Sequence, residues 1–488
     1  MNPVNDRPVR KPVWAQQSTN LEPGRRHAIV SLAALCCCLA ATVTVAAAPP
    51  NFLFVIADDC TFRDIGCYGG QAHTPRIDQL ATAGMRFTHC FQAAPMCSPT
   101  RHNIYTGLYP VKSGAYPNHT FVKQGTQSVV QYLKPLGYRV ALSGKRHINP
   151  RSIFDFEYSG NKNNPNLQSI DRLFRECAGR QTPFCLFACS NEPHGPWNKG
   201  DASRYPPDEL VLPPHFVDTP ATRQALSRYL AEVTYFDSQV GDILDLLDKH
   251  HLADNTLVIV TTEQGSGFPF AKWTCYDTGL QTALIARWPG KIQPATVSDA
   301  LIEYVDILPT FLEAAGRAVP VSLEGRSLLP VFKAESPEHK QHVFGIHTTR
   351  GILNGSDHFG IRSVRGRRYK YILNLSPEVT FTNACTQSHV FRTWRSAALT
   401  SATAADKVRR YQHRPAEELF DMQEDPFEWN NLATDPQYAA IKTELQRELA
   451  HWMNSQGDRG KQTELDAYKH QRRGRNRQKK QSSRQRAQ

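Results

Sequence analysis

The sequence predicts an α/β protein built on a large, mostly parallel sheet that helices cover on both faces. The first observation is a set of four short apolar runs that end in polar or charged residues, at 51–59, 138–145, 183–194 and 255–265. The second is a stretch with helical spacing over 221–250, between the last two runs. Apolar strands that alternate with helices are typical of parallel sheets buried on both sides.

Residues 1–48 precede this fold and are predicted to be a secretory signal peptide. Arg25, Arg26 and His27 come before an uncharged run of 21 residues that ends in small side chains. A basic segment followed by an apolar segment and small residues is typical of a cleaved export signal. The run is also long enough to serve as a membrane anchor, which is the alternative. The first interpretation makes the mature chain secreted or periplasmic.

The ends of the four apolar runs predict a single crevice. Carboxyl ends of parallel strands meet at one edge of a sheet, and ligands bind beyond that edge. The polar residues at these ends are Asp58 and Asp59, Lys145, His194, and Glu263 with Gln264. We therefore expect four separate segments to converge on one site.

The chain changes character from about residue 336, which predicts a second, smaller α+β domain. The segment FGIRSVRGRRYKYILNL, at 359–375, has the pattern of a strand or hairpin. A turn is predicted around Asp425 and Pro426, and a helix over 435–455. The predicted organisation is a main domain at 49–335, an α+β domain with an antiparallel sheet at 336–468, and a tail at 469–488.

The positive charge of the chain lies at its two ends. Nine positive charges in the last 20 residues and a net three in residues 1–48 account for the formal net charge of +12, so the body is close to neutral. A tail with this charge cannot pack, so we expect it to be disordered and able to contact polyanions such as acidic polysaccharides. A purely solubilising tail is the alternative. We expect no nucleic-acid partner for an exported protein.

The cysteines raise a question about Cys97. Three of the 12 cysteines lie in the leader, and the remaining odd number implies that at least one is outside any intramolecular disulfide. Cys185 and Cys189 share a predicted strand, where four residues span roughly 13 Å, too far for a bridge. Cys90 is the nearest possible partner of Cys97, so a structural disulfide is one interpretation.

The segment CSPTR, at 97–101, suggests another interpretation because it fits C-x-P-x-R, at which sulfatases have their cysteine oxidised to formylglycine. The neighbouring segments NFLFVIADDCTFRDIGCYG, TPRIDQLATAGMRFTHCF and MCSPTRHNIYTGLYP resemble the N-terminal third of that family. The likeness continues through SGKRH, NEPHGPW, GFPFAKWTCYDTG and DPFEWNNLA. The chain resembles the formylglycine-dependent sulfatases, in particular N-sulfoglucosamine sulfohydrolases (heparan N-sulfatases) and their bacterial relatives. This resemblance implies an alkaline-phosphatase-like fold and a sulfuric ester hydrolase.

The resemblance implies that Cys97 is the precursor of an aldehyde, and neither a disulfide partner nor a thiol nucleophile. A hydrated aldehyde offers two hydroxyls on one carbon: the first attacks sulfur and displaces an alcohol or amine, and the second expels sulfate as the aldehyde re-forms. A serine at this position would retain a sulfate ester that hydrolyses slowly. A maturation enzyme that generates formylglycine is the implied partner.

The resemblance also implies a calcium site beside residue 97. Asp58 and Asp59 resemble carboxylates that hold Ca²⁺ against the formylglycine and a sulfate oxygen, and hard oxygen ligands suit calcium. Most relatives place Asp followed by Asn or His where this chain has Glu263 and Gln264, each one methylene longer than Asp and Asn. Calcium tolerates irregular ligand shells, so we expect both residues in the metal site, with Glu263 coordinating.

Five further residues resemble catalytic residues of the family. Arg101, expected in the first turn of a helix after Cys97, resembles the arginine that hydrogen-bonds the hydrated aldehyde. Lys145 and Lys272 resemble the two lysines that bind the sulfate group. His147 resembles the histidine that assists the hydroxyl ejecting sulfate, and His194 resembles the general acid for the leaving group.

The substrate is expected to be a sulfated saccharide, with an N-sulfoglucosamine type favoured. The alternative is O-sulfate of an algal-type polysaccharide, since the same branch of the family contains enzymes thought to act on it. Polar and cationic loop residues suit a sulfated sugar, although each also has an ordinary surface role. The candidate contacts are His119, His347, Arg350 and Arg362.

Two functions of other kinds stay open from the sequence. A phosphate or phosphonate monoester hydrolase would share the fold and the metal chemistry, but the paired lysines and CSPTR favour the sulfatase pattern. A catalytically inactive protein that binds glycans through its basic tail is the second, because Glu263 and Gln264 depart from the usual ligands.

Overall fold

A large mixed sheet forms the centre of the chain, which the computed structural model describes over residues 48–159 and 163–471. The predicted signal peptide and most of the predicted tail lie outside these ranges. The strands of this sheet are β1 (Asn51–Ala57), β2 (Met85–Phe91), β3 (Arg139–Gly144), β4 (Glu157–Ser159), β5 (Phe184–Cys189), β6 (Thr256–Thr262), β7 (Gln281–Arg287), β8 (Thr296–Ser298) and β9 (Ile302–Glu303).

Helices cover both faces of the sheet. The α-helices of the described residues are α1 (Pro75–Thr82), α2 (Cys97–Thr106), α3 (Pro110–Ser113), α4 (Val129–Leu133), α5 (Leu167–Arg180), α6 (Pro220–Lys249), α7 (Asp277–Leu280), α8 (Ile307–Ala314), α9 (Leu329–Phe332), α10 (His389–Ala397), α11 (Ala402–Gln412), α12 (Ala439–Gln456) and α13 (Lys461–Asp466). The helix predicted over 221–250 is α6, whose first turn is fixed by Pro220 and by the Thr219 hydroxyl, which accepts a hydrogen bond from Thr222 N.

The strand order places the predicted strand ends side by side. The order is β4-β3-β5-β1-β6-β7-β2-β8, and β9 also pairs with β2. The strands from β4 to β6 are parallel, whereas β7 is antiparallel to both β6 and β2. This confirms the largely parallel sheet. Since β7 separates two strands of equal direction, the carboxyl end of β2 reaches the same edge as those of β1 and β6.

The central strand β1 shows why this sheet is buried on both sides. Its side chains alternate, so Leu53 and Val55 pack in the core that contains α6, while Phe52 and Phe54 pack in the opposite core. Phe52 stacks on Phe311 of α8 with ring centroids 4.4 Å apart. Since β1 is apolar at every position from Phe52 to Ala57, it needs a helical layer on each face.

The C-terminal part forms a separate four-stranded antiparallel sheet, as predicted. Its order is β10 (Val343–Thr348), β11 (Gly360–Arg365), β12 (Tyr369–Asn374) and β13 (Glu417–Asp421). The helix predicted over 435–455 is α12. Arg365 Nε and Lys370 Nζ lie 2.9 and 2.8 Å from the carboxylate of Asp277 in α7, which joins this sheet to the chain that follows β6. The domain boundaries after 335 and 468 stay predictions.

The described cysteines are all free thiols, and every one except Cys67 is buried. The disulfide between Cys90 and Cys97 that the sequence left open is therefore not formed. Cys185 and Cys189 lie on β5, as expected. Within residues 48–159 and 163–471, no helix combines the length and apolar character needed to cross a membrane.

A carboxylate of α6 caps the N-terminus of α1. Thr74 makes no side-chain cap, and instead Asp237 Oδ1 accepts from Ile77 N at 2.8 Å and Oδ2 from Arg76 N at 3.3 Å. Burial raises the pKa of Asp237 to about 6. The cap therefore carries a proton at mildly acidic pH.

We expect Asp237 to make stability depend on pH. Because its folded pKa lies above the unfolded value of about 3.9, the folded state binds more protons between these values, and the stabilisation falls as pH rises from about 4 to about 6. Asp237→Asn should lose less free energy of unfolding over that range in urea titrations. The exposed Asp254→Asn should keep the wild-type slope. Equal slopes for Asp237→Asn and wild type would contradict the assignment.

Candidate active site

The predicted site residues meet at the carboxyl edge of the large sheet. Asp58 and Asp59 follow β1, Cys97 follows β2 after a short turn, Lys145 and His147 follow β3, His194 follows β5, and Glu263 with Gln264 follow β6. Arg101 comes from α2, and Lys272 from the segment before α7. Because β3, β5, β1 and β6 are neighbours, their ends form one continuous floor.

Cys97 lies in the middle of this floor at the first position of α2. Its Sγ is 3.3 Å from Asp58 Oδ1, and Gln264 Nε2 donates to the same sulfur at 3.1 Å. The ligand atoms of Asp58, Cys97 and Glu263 all lie within 4.8 Å of one another. Burial raises the pKa of the Cys97 thiol to about 12, so the unmodified side chain is protonated at neutral pH. This is unfavourable for a thiolate nucleophile.

Two lysines donate hydrogen bonds to the adjacent carboxylates of Asp58 and Asp59. Lys145 Nζ donates to Asp58 Oδ2, and Lys272 Nζ to Asp59 Oδ2 at 2.7 Å. Burial opposes ionisation of Asp59, but the positive charge of Lys272 and then His194 hold its pKa below the usual value. Burial lowers the pKa of Lys145 to about 8, so its proton is held less firmly than that of an exposed lysine.

Arg101 forms a completely buried ion pair with Glu263. Its Nη2 donates to Glu263 Oε2 at 3.0 Å, and its Nε lies 2.8 Å from Oε1. Arg101 Nη1 also donates to Lys145 O at 3.1 Å. Arg101 is the fifth residue of α2, one turn further into the helix than predicted, because the helix begins at Cys97 itself. The pair fixes Glu263 beside the end of β6.

The buried carboxylates and cations of the site are equal in number. Its carboxylates are Asp58, Asp59 and Glu263, and its cations are Arg101, Lys145 and Lys272. Buried charges are costly unless opposite charges pair with them, so this balance lets the chain fold around the site. Addition of a divalent cation would give the centre two excess positive charges, which suits an anionic group.

The donor set of the centre fits a hard divalent cation. Asp58, Asp59 and Glu263 offer carboxylate oxygens, the ligands that calcium prefers. Gln264 Nε2 donates to the carboxylates of Asp58 and Asp59, while its Oε1 is buried without a hydrogen-bond partner. Rotation of this terminal amide by half a turn would bring the unsatisfied oxygen towards the carboxylates. A buried acceptor without a donor is what a bound cation would satisfy.

Three histidines border the centre. His147 Nε2 lies 2.9 Å from His119 Nδ1, and the Ser98 hydroxyl of α2 donates to His147 O at 2.9 Å. Burial, and then the charge of Lys145, lowers the pKa of His147 to about 2, so its ring is neutral. His194 Nε2 is 3.6 Å from an Asp59 oxygen, and 37% of its side chain is exposed at the mouth of the crevice.

Several residues in and around this site have a left-handed backbone conformation. They are Asp59 (φ 60°), His119 (56°), His147 (49°) and Trp273 (68°). This region is unfavourable for residues with a Cβ, and each instance costs on the order of 1–3 kcal/mol. Such conformations persist where the surrounding contacts fix a functional geometry.

The candidate substrate contacts divide into two groups. His119 borders the crevice through His147, and Arg350 is near it because Arg350 O accepts from Asn118 N at 3.1 Å. His347 and Arg362, in contrast, are completely buried. The expectation that they contact substrate from surface loops is therefore wrong for this structure, since a saccharide cannot reach them.

The reason for this burial is that both residues lie on strands of the smaller sheet. Arg362 of β11 forms ion pairs with Asp458 and with Glu464 Oε1, the latter at 2.8 Å, and its Nη1 donates to His347 O. Arg362 holds α13 and the preceding turn against the sheet. His347 of β10 packs edge-on against Phe381, with ring centroids 5.9 Å apart.

The sequence analysis did not single out Trp273. Its indole lies beneath Lys272, whose Nζ is 5.0 Å from the ring centroid, and its backbone N donates to Pro95 O at 3.1 Å. Trp273 therefore joins the Lys272 segment to the turn before Cys97. The available signal was an aromatic residue directly after a candidate catalytic lysine, which suits a cation–π contact.

The fold and the site together define the class of enzyme. The architecture is that of the alkaline-phosphatase-like sulfatases, and the class is that of the sulfuric ester hydrolases. The chain belongs to the sulfatase family, whose profile matches residues 50–317. A second profile, the C-terminal domain of N-sulphoglucosamine sulphohydrolase, matches residues 265–380. The resemblance stated from the motifs is confirmed at the level of the family.

Individual relatives align over most of the chain. An ulvan-active sulfatase of Formosa agariphila is 36% identical over 423 residues, covering 84% of this chain and 81% of the relative. The N-sulphoglucosamine sulphohydrolase of Homo sapiens is 29% identical, covering 83% of this chain and 90% of the relative. A structure solved with its substrate D-glucosamine-2-N,6-O-disulfate has a TM-score of 0.62 and 20% identity, covering 84% of this chain and 99% of the other. The last comparison concerns the fold alone.

We expect the Arg101–Glu263 pair to be essential for stability. Arg101→Met leaves Glu263 buried without a counter-charge and should lower the free energy of unfolding by about 3–5 kcal/mol in urea titrations. The double variant Arg101→Met/Glu263→Met should recover most of this loss.

The matched control is Arg175→Met, which removes an exposed pair with Asp171 and should change the same free energy by less than about 0.5 kcal/mol. A loss for Arg101→Met no larger than that of the control would show that the buried pair does not form.

Proposed function

We propose that the protein hydrolyses sulfate groups of a sulfated glycan with a formylglycine formed from Cys97 and a calcium ion held by Asp58, Asp59, Glu263 and Gln264. The observation that supports this proposal is the position of Cys97. It lies at the N-terminus of α2, 3.3 Å from Asp58, among three carboxylates and three cations. Helix N-termini favour anions, so a developing negative charge is stabilised there.

The two groups that the chain would acquire supply complementary chemistry. Formylglycine in its hydrated form provides one hydroxyl to attack sulfur and a second to release sulfate. Calcium provides a fixed positive charge for an oxygen of the sulfate group.

Lys145 and Lys272 would bind the remaining sulfate oxygens. Both ammonium groups now bond Asp58 and Asp59, the carboxylates proposed as metal ligands. Once those carboxylates share their charge with a cation, the lysine charges become available to the substrate. Fixed cations around a transferred anionic group stabilise the transition state by several kcal/mol. Arg101 would hold the hydroxyls of residue 97 from the next turn of α2.

We assign two different proton transfers to the two histidines. His194 stands at the mouth of the crevice, where a leaving alcohol or amine would depart, and its partial exposure suits a general acid that exchanges protons with water. The buried Nδ1 of His147 has no hydrogen-bond partner, so this nitrogen is free to accept a hydrogen bond from a hydroxyl of residue 97. It would assist the second hydroxyl of residue 97 during sulfate release.

We favour N-sulfoglucosamine-type groups as the substrate, in line with the match of residues 265–380 to the C-terminal domain of N-sulphoglucosamine sulphohydrolase. O-sulfate of an algal-type polysaccharide is the second candidate, and the 36% identity to an ulvan-active sulfatase supports it. His119 and Arg350 are the proposed saccharide contacts that border the crevice.

The burial of Cys97 has a consequence for its maturation. Only 4% of the residue is exposed, so an enzyme that oxidises it must reach it before this region closes. We therefore propose that a formylglycine-generating enzyme acts on the unfolded chain. Export through the N-terminal signal and contact of the basic tail with polyanions complete the proposal.

The substrate test is sulfate release from N-sulfoglucosamine and glucosamine 6-O-sulfate in parallel. The protein should first be shown by mass to carry formylglycine in peptide 87–101. We expect release from the N-sulfated sugar, and a decrease of about 10²–10³-fold in kcat for Lys272→Ala, because one cation at the sulfate is lost. The exposed Lys291→Ala is the control and should keep full activity.

Other outcomes would exclude parts of the proposal. Release only from O-sulfated algal polysaccharide would replace the favoured substrate by the second candidate. Faster hydrolysis of an aryl phosphate than of the matched aryl sulfate would indicate a phosphate or phosphonate hydrolase. Absence of hydrolysis of every sulfate and phosphate ester by protein that carries the aldehyde would leave a glycan-binding protein. Full sulfate release after deletion of residues 469–488, with the aldehyde present, would exclude binding through the tail as the main function.

Calcium binding can be tested through Gln264. Gln264→Ala removes the proposed amide ligand and should weaken calcium binding about tenfold or more. The measurement is the thermal unfolding midpoint of chelator-treated protein against calcium concentration, since a ligand that binds only the folded state raises it. The exposed Gln437→Ala should behave as wild type. Unchanged calcium affinity and turnover in Gln264→Ala would show that Gln264 is not a ligand.

A further inference from the structure

A second cavity lies outside the crevice, between β13, α11 and the segment 270–276. Its volume is about 390 Å³, within the range of about 300–1,000 Å³ typical of ligand sites. Its wall is both cationic and aromatic. The residues that define this character are Phe270, Arg409, Arg410, His413, Arg414 and Trp429. We call this space the α11 cavity.

Arg414 is the buried cation of the α11 cavity. Only 3% of the residue is exposed, and its guanidinium stacks on Tyr276 with its carbon 4.4 Å from the ring centroid. Its Nη2 donates to Glu418 Oε1 at 2.7 Å, but Nε and Nη1 have no hydrogen-bond partner. Buried donors without acceptors are costly, so an anionic group that enters here would satisfy them.

The carboxylates around the α11 cavity are already engaged by protein groups. Glu418 Oε2 accepts from the Tyr276 hydroxyl at 2.8 Å, while its Oε1 also accepts from Asn374 Nδ2 at 2.8 Å. Glu428 Oε1 pairs with Lys370 Nζ at 2.7 Å. Neither carboxylate is therefore available to hold a cation.

The outer wall adds positive charge. Arg409 and Arg410 both pair with Asp406, at 2.6 and 2.7 Å, so two guanidinium groups share one carboxylate. Together with Arg414 and Glu418, this leaves an excess of positive charge. His413 is exposed beside them and supplies a further donor.

The aromatic wall offers apolar surface beside these donors. Phe270 and Trp429 have ring centroids 5.7 Å apart, and the Arg410 guanidinium lies 4.7 Å from the Trp429 centroid. Trp429 is only partly buried, and an aromatic ring beside cationic donors matches a pyranose ring that carries an anionic substituent. Neutral apolar ligands would leave the guanidinium groups unsatisfied.

We infer that the α11 cavity binds one acidic sugar unit of a glycan, with its sulfate or carboxylate group on Arg414 and Arg409 and its ring on Trp429. This inference rests on the proposed function, because it takes the ligand to be a unit of the same kind of polymer. Phe270 and Tyr276 line the cavity and lie on either side of Lys272 in the sequence, so one short segment contributes to both sites. The protein thus holds an acidic glycan at a noncatalytic position.

The experiment is calorimetric titration of the full-length protein with three disaccharides. Digalacturonate carries carboxylates and no sulfate, a heparin-derived disaccharide carries sulfate, and cellobiose is neutral. We expect both acidic sugars to bind and cellobiose not to bind. Arg409→Ser/His413→Ser, at two exposed positions on the wall, should weaken digalacturonate binding about tenfold, through loss of charge-assisted hydrogen bonds.

The control is Arg447→Ser, which removes an exposed arginine of α12 and should bind digalacturonate as wild type does. The inference is overturned if digalacturonate fails to bind wild type, if Arg409→Ser/His413→Ser binds it with unchanged affinity, or if cellobiose binds equally well.

The two proposals can fail independently. Digalacturonate has no sulfate to hydrolyse, so its binding can be measured without turnover, and the comparison with Arg409→Ser/His413→Ser assigns that binding to the cavity. Sulfate release from a small aryl sulfate, measured for wild type and Arg409→Ser/His413→Ser, should be equal. Absence of sulfate release in both proteins would reject the proposed function. The calorimetric result would still decide whether the α11 cavity binds an acidic sugar.

Discussion

The constraint on which the site depends is the presence of three buried carboxylates at one edge of the sheet. Asp58, Asp59 and Glu263 cannot remain ionised there unless positive charges lie beside them. Lys145, Lys272 and Arg101 supply those charges. Each cation comes from a different segment, so the charge balance also ties together β3, α2 and the chain before α7. In such a site the carboxylates can exchange their lysine partners for a metal ion, and the lysines can then bind an anionic substrate.

The parallel arrangement of strands explains how so many segments reach one point. The strands β3, β5, β1, β6 and β2 all end at the same edge, whereas β7 runs in the opposite direction. The backbone after two of these strands adopts a left-handed conformation, at Asp59 after β1 and at His147 after β3. The buried strands and the packed helices beneath them maintain this strain, which flexible loops could not do.

The smaller sheet contributes more than a cover for the large one. Its Arg365 and Lys370 bond Asp277, and thereby fix the end of the segment that carries Lys272 and Trp273. Trp273 in turn bonds the turn before Cys97. The position of the sulfate-binding lysine in our proposal therefore depends on contacts with the smaller sheet. The same segment also forms part of the wall of the α11 cavity.

Reasoning from the sequence identified four strands of the large sheet, the helices over 221–250 and 435–455, and the family, but it did not identify β2 or β7. Uninterrupted apolar runs require burial on both faces, and CSPTR with its neighbouring segments is too specific to arise by chance. Which side chains a substrate can reach follows from the packing of distant segments and could not be predicted from the sequence. His347 and Arg362 have the composition of substrate contacts, yet they lie inside the smaller sheet because α13 and Phe381 cover them. The pairing of Arg101 with Glu263 could not be predicted either. Local periodicity indicates that a side chain is buried, but not which distant residue it contacts.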